Sequence, residues 1–183
     1  MTKEIASPQS VVAFWQEAGP DKWYEKNDAF DAEISACFLA THEAAASGTL
    51  AQWDTNAEGA LALLILLDQF PRNMFRGNAR AFATDPLARA IATRALDKGF
   101  DRDVAPDMRG FFYLPFMHSE AIADQERSLA LYRPLGNANN MKYADMHADI
   151  IRRFGRFPHR NEVLGRKTIA EERAFLDSGG FKG

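Results

Sequence analysis

An all-α fold is predicted by three observations on this chain. Apolar residues recur at three- and four-residue spacing in almost every segment, and helix start and stop signals bracket those segments. No run alternates apolar and polar residues over the length of a strand, so a sheet is not expected. Roughly six to eight helices near the usual length of about 11 residues would fill the chain. Its 183 residues fit one ordinary domain with a sizeable core, and no Gly/Ser-rich or Pro-rich linker divides it.

In chain order, "SPQSVVAFWQEAG" opens with Ser7-Pro8 and stops at Gly19-Pro20. "NDAFDAEISACFLATHEAAASG" follows, with Asp28 expected as N-cap and Gly48 beyond its end. "TNAEGALALLILLDQFP" starts at Asn56 and must stop or bend near Phe70, because Pro71 disfavours helical geometry in the residue before it. In "TDPLARAIATRALDKG", Asp85 is the expected cap, Pro86 sits in the first turn and Lys98-Gly99 close the helix. "HSEAIADQERSLALY" and "ANNMKYADMHADIIRRFG" are two further helices. Pro115 should break or kink the apolar run before the first of them, placing His118 at or near a helix start. "TIAEERAFL" carries a Thr168–Glu171 capping box.

Composition narrows the function. Hydrophobic residues make up 46% and charged residues 26%, as in a globular soluble protein. The net charge of −3 argues against general nucleic-acid binding. The apolar stretch "ALALLILL" is too short to span a bilayer, and "MTKEIASPQS" lacks an apolar signal core, so a cytoplasmic protein with no membrane partner is expected. The single cysteine, Cys37, allows no intrachain disulfide or zinc framework and reads as a small core residue in the stripe Phe30, Ile34, Cys37, Phe38. Trp15, Trp23 and Trp53, with the segment "GFFYLPFM", read as core.

Polar side chains interrupt the apolar faces. Leu61, Leu64 and Ile65 define a face whose next positions are Asp68 and Arg72. His118, Ile122, Gln125, Leu129 and Tyr132 follow helical spacing, as do Tyr143, His147, Ile150, Ile151 and Phe154. An unpaired buried polar group costs about 1–3 kcal/mol, so these groups are expected to face one another or a cleft. "QFPRN" and "RFPHRN" repeat a Phe-Pro-(His)-Arg-Asn motif, and each copy is expected to end a helix and present Arg72-Asn73 or Arg160-Asn161. Arginine's planar fork suits a carboxylate or phosphate.

Two readings stay open for this cluster. One is a pocket for a small anionic metabolite; the other is a buried network in which Asp68 pairs with Arg160 or Arg72 and no ligand binds. A metal site fits less well. His118 with Glu120 and His147 with Asp149 stand two apart, on different helix faces, and the arginines would repel a cation. Neither a Gly-x-Ser-x-Gly elbow nor a Gly-rich phosphate loop is present. No cofactor is expected. Were chemistry to occur, His118, Glu120 and His147 are the proton-transfer candidates, beside arginines that stabilise negative charge.

The motifs "DQFPRNMFRG", "FATD", "FYLPFMHSE", "DQERS", "HADIIRRFGRFPHRNEVLGR" and the closing "T-x-x-E-x-x-FL" together resemble the bacterial family catalogued as domain of unknown function 924. The resemblance runs from about Val11 to Leu176. It implies antiparallel helix pairs in a tetratricopeptide-like superhelix, although no repeat of about 34 residues is visible. It implies no activity and carries over no catalytic residue. The motifs fall on the ligand-binding candidates Asp68, Gln69, Arg72, Asn73, Gln125, Arg156, His159, Arg160 and Asn161, and on His118, Glu120 and His147. The expected partner is a small carboxylate- or phosphate-bearing metabolite, with a helical module for a protein segment or a twin subunit as the alternative.

Overall fold

The computed structural model describes residues 4–182. Met1 to Lys3, part of the segment read for a signal core, lie outside the described residues. The fold is all-α, with no strand among the described residues. The chain divides into two compact units, one of Met1–Arg76 with Arg80–Pro115 and one of Gly77–Ala79 with Phe116–Gly183. Among the described residues, no helix is long and apolar enough to cross a membrane.

The first unit is built round a helix that is apolar on every side. α1 (Pro8–Ala18) is capped by the Ser7 side chain, and α2 (Pro20–Trp23) follows directly. α3 (Asp28–Ala46) is capped by Asn27, whose Oδ1 accepts from the Phe30 amide at 3.0 Å; Asp28, the expected cap, is its first residue. α4 (Ala57–Leu64) has every residue from Gly59 onward buried, which marks a central helix packed against α1 and the 3-10 turn Ala51–Thr55. Trp15, Trp23, Phe30, Phe38 and Phe70 stack around it, whereas Trp53 is only half-buried. Cys37 is exposed, not core: one residue from Phe38 turns it about 100° away from the stripe's centre.

Pro71 does not end the helix. After Leu64 the chain takes one wide π turn, Ile65–Gln69, and continues as α5 (Phe70–Met74) with Pro71 in its first turn. The Phe70 amide reaches back five residues to the Ile65 carbonyl. Proline has no amide hydrogen, so carbonyls one turn earlier lose a donor, and buried carbonyls need one. Side chains supply it. His42 Nδ1 lies 2.8 Å from the Leu66 carbonyl, Thr84 Oγ1 donates to the Leu67 carbonyl at 2.6 Å, and Arg72 donates to that of Asp68. The carbonyl fixes the His42 proton on Nδ1, and burial lowers the imidazole's pKa. α6 (Asp85–Asp97) packs on α4, and its cap position is Thr84.

Where the chain passes from the first unit to the second, α7 (Leu114–Met117) takes Pro115 into its first turn, so the proline starts a helix and does not break one. His118 follows it and precedes α8 (Ile122–Tyr132), so it shares no helical face with Gln125. α8 and α9 (Ala138–Phe154) pack as a hairpin across a short turn. α9 ends at Gly155, and the second Phe-Pro motif forms a 3-10 turn, Pro158–Arg160. The two motif copies therefore differ: one continues a helix, the other follows one. α10 (Ala170–Asp177) starts at Ile169, whose amide donates to Glu172 at 2.9 Å, so the acid of the start signal is Glu172 and not Glu171.

Gly59 shows how closely the central helix is approached. A Cβ there would stand 2.2 Å from the Trp53 carbonyl oxygen. Gly59→Ala is expected to lower stability by about 1–3 kcal/mol in urea denaturation, as overpacking does.

Candidate functional site

The candidate residues fall into two groups, each held within its own unit. Asp68, Gln69, Arg72 and Asn73 belong to the first, on the π turn and α5. Asp68 is 1% exposed, and Gln69 Nε2 donates to its carboxylate. Arg72 makes the fork pairing expected of it, but with Asp85: Nη1 to Oδ1 is 2.9 Å and Nη2 to Oδ2 is 3.0 Å. Its Nη1 also lies 3.5 Å from Asp68 Oδ1. Burial opposes the guanidinium charge, but the facing carboxylates of Asp68 and Asp85 outweigh it and raise the pKa. Asn73 donates to Asp31 at 2.8 Å, and Arg76 shares the same carboxylate. Arg72 and Asn73 therefore hold acids of their own unit.

The other candidates lie in the second unit, largely on the loop between α9 and α10, which two carboxylates bind together. Glu172, 1% exposed, accepts from Arg156 Nε at 2.6 Å, Asn161 Nδ2 at 3.0 Å and the Ile169 amide. Glu120 accepts from Arg166 at 2.7 and 3.0 Å and from the Phe157 amide at 2.8 Å. Arg166 closes the ring by donating to the Phe157 carbonyl at 3.1 Å. The Arg156 hydrogen bonds hold the Glu172 carboxyl below the ordinary carboxylate range. Burial pushes Glu120 up, but Arg166, the Phe157 amide and the Arg160 charge bring it down overall. This makes Glu120 a firmly ionised brace and a poor proton donor near neutrality. Arg156 and Asn161 brace the loop in the same way.

Gln125 is fully buried and contacts backbone. Its amide donates to the Met117 carbonyl at 2.7 Å and the Ser119 carbonyl at 2.6 Å, on either side of His118. It thus fixes the backbone that carries His118.

His147 and His159 lie against two phenylalanines, with His118 beside His147 and Arg160 over one of the two rings. The His118 and His147 ring centroids are 6.3 Å apart. His147 lies 5.4 Å from the Phe157 ring and 4.7 Å from that of Phe181. His159 is 5.7 and 5.2 Å from the same two rings. The Arg160 guanidinium sits over the Phe157 face, 4.5 Å from its centroid. His147 Nδ1 is 2.8 Å from the Tyr143 carbonyl, an acceptor only, so Nδ1 holds a proton and Nε2 is the nitrogen that gains or loses one. Among the described residues, no three His, Cys, Asp or Glu side chains are arranged to hold a metal ion.

Arg166, Asp85 and Phe181 were not singled out as site residues from the sequence. Arg166 stands in the arginine-rich run 153–166, and its excess over the single acid there, Glu162, called for a distant carboxylate, which is Glu120. Asp85 reads as a helix cap, and no local pattern joins it to Arg72 thirteen residues earlier.

By fold and side chains, this is an all-helical protein whose second unit gathers imidazoles and a guanidinium on aromatic rings. It belongs to the family described as bacterial proteins of unknown function (DUF924), whose profile matches residues 11–180. It is similar to the solved structure of a protein of unknown function, ATU0120, from Agrobacterium tumefaciens. The two share 50% sequence identity over 94% of this chain and 97% of that one, with a TM-score of 0.91. No curated protein matches the chain.

Two expectations follow from the braces. Arg72→Ala leaves buried carboxylates without their partner and should cost about 3–5 kcal/mol in denaturant melts. Glu120 and Glu172 titrate lower in the folded chain than in the unfolded one. The unfolded state therefore binds protons first as pH falls. Their contribution is complete above the ordinary glutamate value of about 4.3 and is lost as pH drops through the folded values. Urea melts from pH 7 to pH 3 should show this decline, and Glu172→Gln should make it shallower while lowering stability at pH 7.

Proposed function

We propose that the chain binds a small carboxylate- or phosphate-bearing metabolite at the imidazole cluster of the second unit. The observation that carries this reading is the placing of His147 and His159 against the rings of Phe157 and Phe181, with His118 beside His147 and Arg160 over the Phe157 face. Imidazolium and guanidinium donors suit an anion, and the aromatic rings suit an apolar portion of the ligand. Both carboxylates beside the loop, Glu120 and Glu172, are already bound by Arg166 and Arg156. If the reaction includes proton transfer, His147 through Nε2 and His118 are the groups to carry it. Asp68, Gln69, Arg72 and Asn73 serve the fold of the first unit in this reading. A cytoplasmic location is part of the same proposal.

A tetratricopeptide-like interaction module is the second reading. The α8–α9 hairpin supports it, as does the pairing of Arg72, Arg76, Arg156 and Arg166 with carboxylates of their own units. Exposed Ile122, Tyr143, Leu164 and Ile169 would then meet a protein segment or a second copy of the chain.

Thermal melts with inorganic phosphate, succinate and citrate separate the two. Binding at a hundred times Kd stabilises by about 2.7 kcal/mol. The wild type should show a concentration-dependent rise in Tm with at least one of them. His147→Ala and Arg160→Lys, which keeps the charge but not the planar fork, should lose that rise while retaining a helical circular-dichroism spectrum. No rise in the wild type with any anion, together with a dimer by light scattering, would favour the second reading.

A further inference from the structure

The segment after α10 covers part of the imidazole cluster, and it leaves the helix through a turn that depends on two glycines. The backbone turns out of α10 through hydrogen bonds from the Ser178 amide to the Ala174 carbonyl at 3.0 Å and from the Gly180 amide to the Phe175 carbonyl at 3.0 Å. Gly179 has φ +87°, and a Cβ at Gly180 would lie 2.5 Å from the Phe175 carbonyl oxygen and 2.6 Å from its ring. Both positions therefore favour glycine. Immediately beyond them the Phe181 ring sets its edge or face against His147 and His159, with interplanar angles of 60° and 88°. It also packs against the apolar group of Ile150, Ile151 and Phe157. Among the described residues Phe181 and Lys182 make no hydrogen bond, so ring contacts and apolar packing alone hold the ring down.

We infer that residues 178–182 form a hinged cover in which Phe181 is the plug over His147 and His159 and Gly179-Gly180 is the hinge. The cover keeps water from His147 and narrows its access to His159, and an anion reaches them when the ring lifts. The occupant beneath the cover rests on the proposed anion site; the cover itself rests on the contacts above. α10 stays in place during opening, because Glu172 ties it to Arg156 and Asn161.

Diethyl pyrocarbonate, which acylates unprotonated imidazole, tests the cover on the ligand-free full-length chain, with modification of each histidine followed by peptide mass spectrometry. The chain has four histidines, and His42 of the first unit, 4% exposed, is the internal control. Phe181→Ala should raise the modification rates of His147 and His159 on the order of tenfold, with His42 unchanged. Gly180→Val, which keeps the ring but forces the turn off Phe175, should act in the same direction. Wild-type rates at both histidines in both variants overturn the proposal. An equal acceleration at His42 in both also overturns it, because the segment would then hold the fold together and cover no site. As no anion is present, this result and that of the anion melts are independent.

Discussion

One set of polar contacts in the first unit forms around a missing hydrogen. Pro71 enters a buried helix without an amide donor, and the chain meets the deficit in two ways. A single π turn widens the helix just ahead of the proline, and side chains from three places bind the carbonyls that the turn releases. His42, Thr84 and Arg72 are thereby fixed in place, and Arg72 in turn fixes Asp85 at the start of α6. The π turn also carries Asp68 and Gln69. Of the polar residues that look like a binding site in the sequence of this unit, Arg72 is the one that binds a freed carbonyl; Gln69 donates to Asp68, and Asn73 to Asp31.

The second unit solves a different problem. Its loop between α9 and α10 has little regular structure and no long apolar run, yet it must hold Phe157, His159 and Arg160 firmly. Glu120 and Glu172 do this by each taking one arginine in a fork and one backbone amide, which orients the loop at several points. The loop so held sets His159 and Arg160 against the Phe157 ring, facing His147 of α9.

The longer helices were legible in the sequence because capping residues, glycine stops and periodic apolar residues agree there; the short α2 and α7 were not, since Pro20 and Pro115 read as breaks and each sits in a first turn. Several local assignments were not. Asn27 caps α3 where Asp28 was expected, and at α6 no side chain takes the cap bond, because Thr84 donates to the Leu67 carbonyl and Asp85 is claimed by Arg72. Pro71 and Pro115 both read as helix breakers, but one is absorbed by a π turn and the other starts a short helix. For the site, burial of Asp68, Gln125 and His147 followed from their place on apolar faces; His118, expected there too, is half-buried, and the burial of Arg160 did not follow from a motif expected to emerge at a helix end. Partners did not follow, because pairs such as Glu120–Arg166 and Asp31–Arg76 join positions more than forty residues apart that no local pattern connects.

The separation of those partners also orders events during folding. Every hydrogen-bond partner of Glu172 lies within sixteen positions of it. Arg166 stands forty-six from Glu120. Closing the longer loop costs about 0.9 kcal/mol more in chain entropy. The stitch at Glu172 is thus the one a collapsing chain reaches first, and it delivers the loop already shaped when Glu120 arrives to complete it.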